Sequence, residues 1–271
     1  TLSDSTLHGN IQYLLSANPA QDLMLSAKLL IARSDEGMEK FPEAIAAYQE
    51  IIDKYSSLNP MEEKLFHQEI AWSYFEIGEI NLFQFRKPEE AFTYYQKVVT
   101  NYRDTDAFPP ALVRLSDCLM VKGDLDSAQT LLETAFKDKR VESKQEEIEY
   151  KLSEMAFFKG NFEDALTGYN QVIADFPKGF YVNNSLERII TIGDNQELDR
   201  YILSLFSSAM LKKLQGEYDS AIIKLDQIIN TKSEKLSDLA QMEKGKTYAQ
   251  EKKFSSSVEA YQKLLEKYPQ S

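Results

Sequence analysis

The side chains that most often carry catalysis or bind metals are scarce in this chain. It has two histidines, His8 and His67, and one cysteine, Cys118. Neither histidine has a second histidine or a cysteine at the spacing that a tetrahedral zinc site needs. Cys118 lies in an apolar stretch at residues 112–120, where we expect a buried, inert thiol, because a reactive cysteine needs an exposed and electropositive setting. The sequence therefore predicts no metal site.

Nucleotide binding and acid–base catalysis also lack sequence support. The 10 glycines are scattered at turn positions and form no phosphate-binding loop. Acidic runs at residues 124–126 and 146–149 lack the alternating oxygen ligands and the closing glutamate of a calcium-binding loop. Glutamate-rich helix faces are usually solvated. We therefore predict that the protein is not an enzyme and binds no cofactor.

Composition narrows the choice of partner. The chain has 31 basic and 43 acidic residues, which leaves a formal net charge of −12. That field repels phosphate backbones and anionic lipid surfaces, so we predict no nucleic-acid partner. No apolar run approaches the roughly 20 residues of a membrane-spanning helix, so we predict no transmembrane segment in this chain.

One recurring phrase organises the chain. Four strong copies begin at residues 41, 87, 161 and 254, and they read FPEAIAAYQEIIDKYS, KPEEAFTYYQKVVTNYR, NFEDALTGYNQVIADFP and FSSSVEAYQKLLEKYP. Two weaker copies begin at residues 124 and 217. In each strong copy a small residue is followed by aromatic residues four and eleven positions later, as in Ala44, Tyr48 and Tyr55. This spacing places all three on one helical stripe, which predicts a packing face.

Turn residues divide each copy from the helix that precedes it. Gly123, Gly160 and Gly216 each stand five residues ahead of the small residue, as expected where one helix ends and the next begins. Pro177 and Pro269 follow the second helix of their copies and prevent it from continuing. The sequence therefore predicts an all-α superhelix of about six helical hairpins.

Two irregularities interrupt the repeat. The small residues are mostly 36 or 37 positions apart, but two steps are longer, with 47 and 56 positions. For the first we predict an insertion at 79–90, either a prolonged helix or an apolar loop. For the second we predict an extra helix near 183–193, followed by a capping box of Asp194 and Glu197 that starts the helix reaching Leu214.

These irregularities lead to a predicted division of the chain. Residues 1–19 are predicted to form an N-terminal capping helix or the remnant of a preceding repeat. Residues 20–177 hold repeats 1–4, and residues 178–271 hold the inserted helix and repeats 5–6. The join at 178–195 is the predicted boundary or point of flexure.

The small residue and the two aromatics resemble the tetratricopeptide repeat family over about residues 20–271. Copies that end in KYP or DFP look like the variety found in bacterial envelope proteins, such as the barrel-assembly lipoprotein and the Tol-Pal coordinator. The third and fifth copies depart from the pattern, with Leu132 and Leu225 in place of the first aromatic. The resemblance implies an α-α superhelix whose first helices line a concave groove, and it favours the bacterial periplasm or outer-membrane periphery.

The resemblance also implies which side chains project into that groove. Most are aromatic residues or methionines, with acidic residues such as Glu76 among them, and the alternative is that the aromatics belong to the core. The predicted partner-binding residues are Trp72, Phe75, Asp117, Met120, Tyr150, Glu154, Phe157, Phe206, Met210 and Met242. An apolar groove with acidic points suits a protein or peptide segment that carries apolar anchors and a Lys or Arg.

Three functions fit these features. The first is a protein-interaction scaffold in a bacterial envelope assembly. The second is a recruiting or sensor arm of a larger multidomain enzyme or regulator. The third is a homo-oligomer, because terminal repeats without a polar capping helix can stack end to end.

Overall fold

A computed structural model of the chain describes residues 9, 11, 13, 21–195, 200–231 and 236–269. Within these residues every regular element is helical, which confirms the predicted all-α class. The predicted N-terminal helix at 1–19 lies outside the described residues, apart from residues 9, 11 and 13. Glu197 of the predicted capping box also lies outside them.

The chain divides into two compact units, residues 1–118 and 119–271. In the N-terminal unit, α1 packs against α2, α2 against α3 and α3 against α4. The predicted division of the repeats at 177/178 stays a prediction. The helices that begin in this unit are α1 (Gln21–Gly37), α2 (Phe41–Tyr55), α3 (His67–Glu79), α4 (Pro88–Asn101) and α5 (Phe108–Lys122), the last of which crosses the division.

The C-terminal unit contains the remaining helices. They are α6 (Leu125–Phe136), α7 (Gln145–Phe158), α8 (Phe162–Asp175), α9 (Val182–Gly193), α10 (Arg200–Leu214), α11 (Tyr218–Thr231), α12 (Ser237–Gln250) and α13 (Phe254–Lys267). The main pairs are α7 with α8, α10 with α11 and α12 with α13, and α9 packs on α8. The extra helix predicted near residues 183–193 is confirmed as α9.

Six turns share one backbone conformation. In each, a residue with positive φ stands two positions before the helix that carries the recurring phrase. Glycine supplies this conformation at Gly123, Gly160 and Gly216, as the sequence predicts, because glycine has no Cβ to clash there. The other three turns use non-glycine residues, namely Glu39, Arg86 and Lys252. These repeated turns confirm the predicted series of six helical hairpins.

Small residues bring the two helices of a hairpin close together. A Cβ on Gly78 would lie 2.6 Å from the ring of Tyr95, and a Cβ on Gly245 would lie 2.7 Å from the ring of Tyr261. In the α7–α8 hairpin, a Cβ on Gly168 would lie 2.3 Å from the Ser153 hydroxyl oxygen. A glycine on one helix therefore lets a side chain of its partner helix approach closely, from the first helix at Gly78 and Gly245 and from the second helix at Gly168.

The first long step of the repeat has a different origin from the predicted one. Gly78 stands 13 residues before Ala91, whereas the equivalent Ser153 stands 12 before Ala165. The region 79–90 therefore contains one inserted residue, which the helix absorbs as a π-helical turn at Ile80–Gln84. The other extra residues precede Gly78, in the helical turns Pro60–Glu63 and Lys64–Phe66 and in the part of α3 before Gly78, which is longer than the part of α7 before Ser153. The prediction that 79–90 accounts for the long step was wrong, because spacing alone does not show on which side of α3 residues are added.

Candidate functional site

A part-buried polar cluster joins three helices of the N-terminal unit. The Tyr95 hydroxyl donates a hydrogen bond to Glu79 Oε1 at 2.5 Å, and Arg114 Nε donates to the same oxygen at 2.8 Å. The Arg114 guanidinium also lies over the ring of Phe83, 5.2 Å from its centroid. Since these residues belong to α4, α3 and α5, the cluster fixes the start of α5 on the preceding hairpin.

The same cluster recurs in the C-terminal unit. The Tyr169 hydroxyl donates to Glu154 Oε1, and Arg188 donates to both oxygens of Glu154, at 2.7 and 3.1 Å. The Arg188 guanidinium lies 4.8 Å from the centroid of Phe157. Tyr169 and Arg188 are each 74 positions after their equivalents, Tyr95 and Arg114. Glu154 is 75 positions after Glu79, because the π-helical turn adds one residue just after Glu79. Helix α9 is therefore fixed on α7 and α8 as the first helix of the next repeat.

The charges of this second cluster are stable. Burial disfavours ionisation of Glu154, but the Arg188 guanidinium and the hydrogen bonds from Arg188 and Tyr169 outweigh it and lower the pKa of this carboxyl. Burial also disfavours the charged form of Arg188, but the charge of Glu154 outweighs it and raises the pKa of the guanidinium. Burial, followed by the Glu154 charge, raises the pKa of the Tyr169 phenol. A fully paired cluster of this kind has a positioning role.

A different environment surrounds Glu76, one helical turn before Glu79. Burial, then the charge of Glu36 and that of Glu79, raise the pKa of Glu76 to about 7, against the opposing pull of Arg33. Burial also raises the pKa of Glu36, which accepts a hydrogen bond from the Tyr48 hydroxyl at 3.3 Å. Helices α1 and α3 thus hold Glu36 and Glu76 close enough to each other and to the Glu79 charge for the pKa of Glu36 and Glu76 to be raised.

Aromatic residues lie beside Glu76 on α3. Trp72 is half-buried and packs edge-on against Phe75, with ring centroids 5.3 Å apart. Within the described part of the chain, the Glu76 carboxyl has no side-chain hydrogen bond and no cation within 4 Å. We call Trp72, Phe75 and Glu76 the α3 surface. It offers an aromatic face and a carboxyl group that lacks a partner, which is the chemistry needed to hold an apolar anchor next to a cation.

The predicted partner-binding residues fall into two groups by exposure. Phe157 and Phe206 are 0% and 1% exposed, and Phe206 and Met210 pack in the core of the C-terminal unit. The buried group is Phe75, Met120, Glu154, Phe157, Phe206 and Met210, and the half-buried group is Trp72, Asp117, Tyr150 and Met242. First helices are covered on most sides by neighbouring helices, so helical spacing places many of their aromatics in the core. Partner binding by these residues stays a prediction.

Two members of the half-buried group already have polar or aromatic partners. Asp117 lies 3.2 Å from a guanidinium nitrogen of Arg114. Tyr150 stacks on Tyr181 with ring centroids 4.5 Å apart and an interplanar angle of 17°. Burial is the main reason that the pKa of the Tyr150 phenol is raised. Trp72 and Met242 are therefore the more available of the half-buried predicted residues.

Two of the residues considered for metal or redox chemistry, His67 and Cys118, have structural roles, and His8 lies outside the described residues. His67 Nδ1 lies 3.2 Å from an Asp104 carboxylate oxygen, and the His67 ring packs edge-on against Tyr102. Cys118 is fully buried, which confirms the predicted buried thiol. In the described ranges no group of three His, Cys, Asp or Glu residues could hold a metal ion, and no described helix is long and apolar enough to cross a membrane. The absence of enzymatic activity stays a prediction.

Sequence reasoning missed most of the polar clusters. It placed Glu154 in a groove but did not pair it with Tyr169 or Arg188. A signal was present, because a Glu, a Tyr and an Arg recur in the same order at 79, 95 and 114 and at 154, 169 and 188. The one-residue difference between the two sets conceals the pattern until the π-helical turn is seen.

Consecutive helical hairpins with repeated turns, repeated close contacts and a repeated polar cluster define an α-helical repeat protein. Four segments match the tetratricopeptide repeat family, at residues 26–57, 69–105, 147–179 and 239–271. The chain belongs to this family, and its repeats indicate a protein–protein interaction scaffold. The weaker third and fifth copies, which lack the first aromatic, are the ones outside the matched segments.

Solved structures similar to this chain include other repeat proteins. A tetratricopeptide repeat protein from Parabacteroides merdae is 14% identical, with 86% of this chain and 90% of that chain covered and a TM-score of 0.44. MamA from Desulfovibrio magneticus RS-1 is 15% identical, with 72% and 93% covered and a TM-score of 0.36. No curated protein sequence matches the chain. Whole-chain superpositions with these TM-scores are loose, so membership in the family rests on the repeat matches.

Proposed function

We propose that the chain binds a protein segment at the α3 surface and that the segment inserts an apolar anchor against Trp72 and a Lys or Arg beside Glu76. The observation that carries this proposal is the Glu76 carboxyl, which is half-buried and has no cation within 4 Å, next to a half-buried tryptophan. A cation placed there offsets the repulsion among Glu36, Glu76 and Glu79. The net charge of −12 adds long-range attraction for a basic segment.

The C-terminal unit separately offers an apolar contact of the same kind, because Met242 of α12 is half-buried. Tryptophan and tyrosine are enriched among the residues that dominate binding energy at protein interfaces. The proposed partner is therefore a protein or peptide segment with apolar anchors and basic residues.

We place this function in a bacterial envelope assembly, at the periplasm or the outer-membrane periphery. The support is the resemblance of the repeats that end in KYP or DFP to those of bacterial envelope proteins. Affinity capture from separated periplasmic, membrane and cytosolic fractions of the source organism tests the location. Recovery of the specific partner from the cytosolic fraction alone contradicts it.

The same capture experiment tests the binding surface. Full-length wild-type chain is compared with the double variant Trp72→Ala, Glu76→Gln, and captured proteins are quantified by mass spectrometry. We expect the double variant to recover the partner at least tenfold less well, since truncation of an interface tryptophan commonly costs about 2 kcal/mol or more. Met61→Ala is the matched control, because Met61 is 86% exposed in the same unit but lies outside the α3 surface. Equal recovery by folded wild-type and double-variant chains contradicts the proposal.

A further inference from the structure

Helix α9 is the first helix of a repeat whose second helix does not follow in the usual position. Arg188 occupies the place in its cluster that Arg114 occupies in the first cluster, so α9 and α5 have the same register. Ser116, two residues after Arg114, stands twelve positions before the small residue Ala128 of the phrase. No copy of the recurring phrase follows Ile190, which stands two residues after Arg188. The next helix, α10, packs against α7 and α11.

This register identifies which face of α9 is incomplete. In complete hairpins of the same unit, residues at the position of Ile190 contact the second helix. Ser153 lies against Gly168, and Gly245 lies against the ring of Tyr261. One turn earlier, at the position of Leu186, Gln241 Nε2 donates to the backbone carbonyl of Ala260 at 2.8 Å. The face of α9 with Leu186 and Ile190 is therefore the face that a second helix covers elsewhere.

That face of α9 is open. Leu186 is 43% exposed and Ile190 is 62% exposed. A Cβ added to Gly193 would meet no atom within 4 Å. The three positions are four and three residues apart, so they form one stripe along about two turns of the helix. We call Leu186, Ile190 and Gly193 the α9 stripe.

One exposed carboxylate borders the α9 stripe, since Glu187 stands three residues before Ile190. Arg188, the only basic residue of α9, lies on the other side of the helix and binds Glu154. Lys246 of α12 acts electrostatically with Glu187, and Glu243 binds both Lys246 and Lys213 at 2.7 Å. The chain as a whole carries a net charge of −12, and this charge together with Glu187 favours a basic ligand.

We propose that the α9 stripe binds an amphipathic helix of a partner protein, which supplies the missing second helix and directs a Lys or Arg side chain toward Glu187. In the strong copies of the phrase, the second helix presents a small residue and an aromatic four positions later to its first helix. The partner helix would present the same two kinds of residue to α9. This site is separate from the α3 surface. A second copy of the chain fits poorly, because α8 has Glu163 and Asp164 in its first turn and the chain carries a net charge of −12.

A synthetic helix provides the test. The probe is a fluorescein-labelled peptide of residues 161–176, the α8 segment, with Glu163→Lys, Asp164→Lys and Asp175→Lys at exposed positions. Its fluorescence anisotropy is measured against the full chain at low salt. We expect saturable binding that Ile190→Asp weakens at least tenfold and Glu187→Lys weakens several-fold. Ile223→Asp is the matched control, since Ile223 is a 60% exposed isoleucine on α11, and it should change affinity less than twofold.

Several outcomes would overturn this proposal. They are the absence of saturable binding, equal binding by the Ile190→Asp variant, and equally strong binding of the unsubstituted acidic α8 peptide. Sedimentation that shows a dimer dispersed by Ile190→Asp would assign the stripe to a second copy instead. Trp72→Ala should leave peptide binding unchanged, so failure here is distinguishable from failure of the proposal for the α3 surface.

Discussion

At the scale of single residues, two carboxyl groups on equivalent helices, the buried Glu154 and the half-buried Glu76, behave in opposite ways. Glu154 has a guanidinium and a phenol as partners, and its pKa is lowered. Glu76 is three residues before the equivalent position, has carboxylates as neighbours, and has its pKa raised to about 7. Burial disfavours the charge in both cases, so the difference arises from the partners. A paired carboxylate positions a helix, whereas an unpaired one is available to a ligand.

Glu76→Gln should change how stability depends on pH. The pKa of Glu76 is raised from 4.5 in the unfolded chain to about 7 in the folded one, so the folded state holds this proton more tightly. The free energy of unfolding therefore falls as pH rises between these values, by an amount of order 2–3 kcal/mol. We expect Glu76→Gln to reduce this fall and to be more stable than wild type at pH 8 by about 1–2 kcal/mol.

Urea denaturation at a series of pH values from 4.5 to 8 measures this effect. Glu62→Gln is the control, because Glu62 is exposed on a helical turn of the same unit. A wild-type chain whose stability does not fall through this range would show that Glu76 ionises without penalty. The electrostatic argument for the α3 surface would then be lost.

The roles of individual residues were the feature hardest to predict from the sequence. Trp72 and Phe157 are both aromatics on first helices, but Trp72 is half-buried and Phe157 is fully buried under Arg188. Spacing within one helix does not show which neighbouring helix covers a side chain. Arg188 lies 34 residues from Glu154 and on another helix, so their contact depends on packing that local pattern does not describe.

At the scale of elements, the turns between paired helices use one conformation with two kinds of residue. Gly160 has φ of +76° and Lys252 has φ of +64° at the same position of their hairpins. A non-glycine residue in this region costs about 1–2 kcal/mol, which the entropy of a glycine in the unfolded chain partly offsets. Lys252→Gly should therefore stabilise the protein by about 0.5–1 kcal/mol, and Gly160→Ala should destabilise it by about 1 kcal/mol.

Thermal unfolding followed by circular dichroism tests this pair of substitutions. A Cβ on Gly160 meets nothing within 4 Å, so its cost reports the backbone conformation alone. Lys252 is exposed, and its backbone N–H still reaches the carbonyl of Ala249 after substitution by glycine. The midpoint should rise by about 1–4 °C for Lys252→Gly. A fall for this variant would mean that the turn is not strained.

Elements were predicted well where the recurring phrase is strong. The small residue and aromatics of α2, α4, α8 and α13 lie four and eleven residues apart, and a helix forms over each phrase. The extra helix α9 was also predicted, from the step of 56 positions between the fourth and fifth copies. The π-helical turn at Ile80–Gln84 was not predicted, since one inserted residue leaves no local composition signal. The placement of the extra residues before Gly78 was missed for the same reason.

At the scale of the whole molecule, membership in the tetratricopeptide repeat family identifies the protein as an interaction scaffold, and two of its surfaces depart from a regular repeat. The α3 surface holds a half-buried carboxyl group without an ion pair beside the only tryptophan of the chain. The α9 stripe lies on a first helix that lacks its usual second helix. Each departure leaves polar or apolar groups without partners, and these are the places where a partner protein gains the most on binding.

The central claim is that a basic, apolar-anchored segment binds at the α3 surface, and the fluorescence of Trp72 tests it most directly. The segment is a synthetic peptide from the partner recovered by affinity capture, and it contains no tryptophan. Because Trp72 is the only tryptophan, its emission reports this surface alone. We predict a saturable blue shift whose midpoint matches the affinity measured by peptide anisotropy, with binding weakened at least tenfold in Glu76→Gln. Saturable anisotropy without any change in Trp72 emission, and with unaltered affinity for Glu76→Gln, would contradict the account.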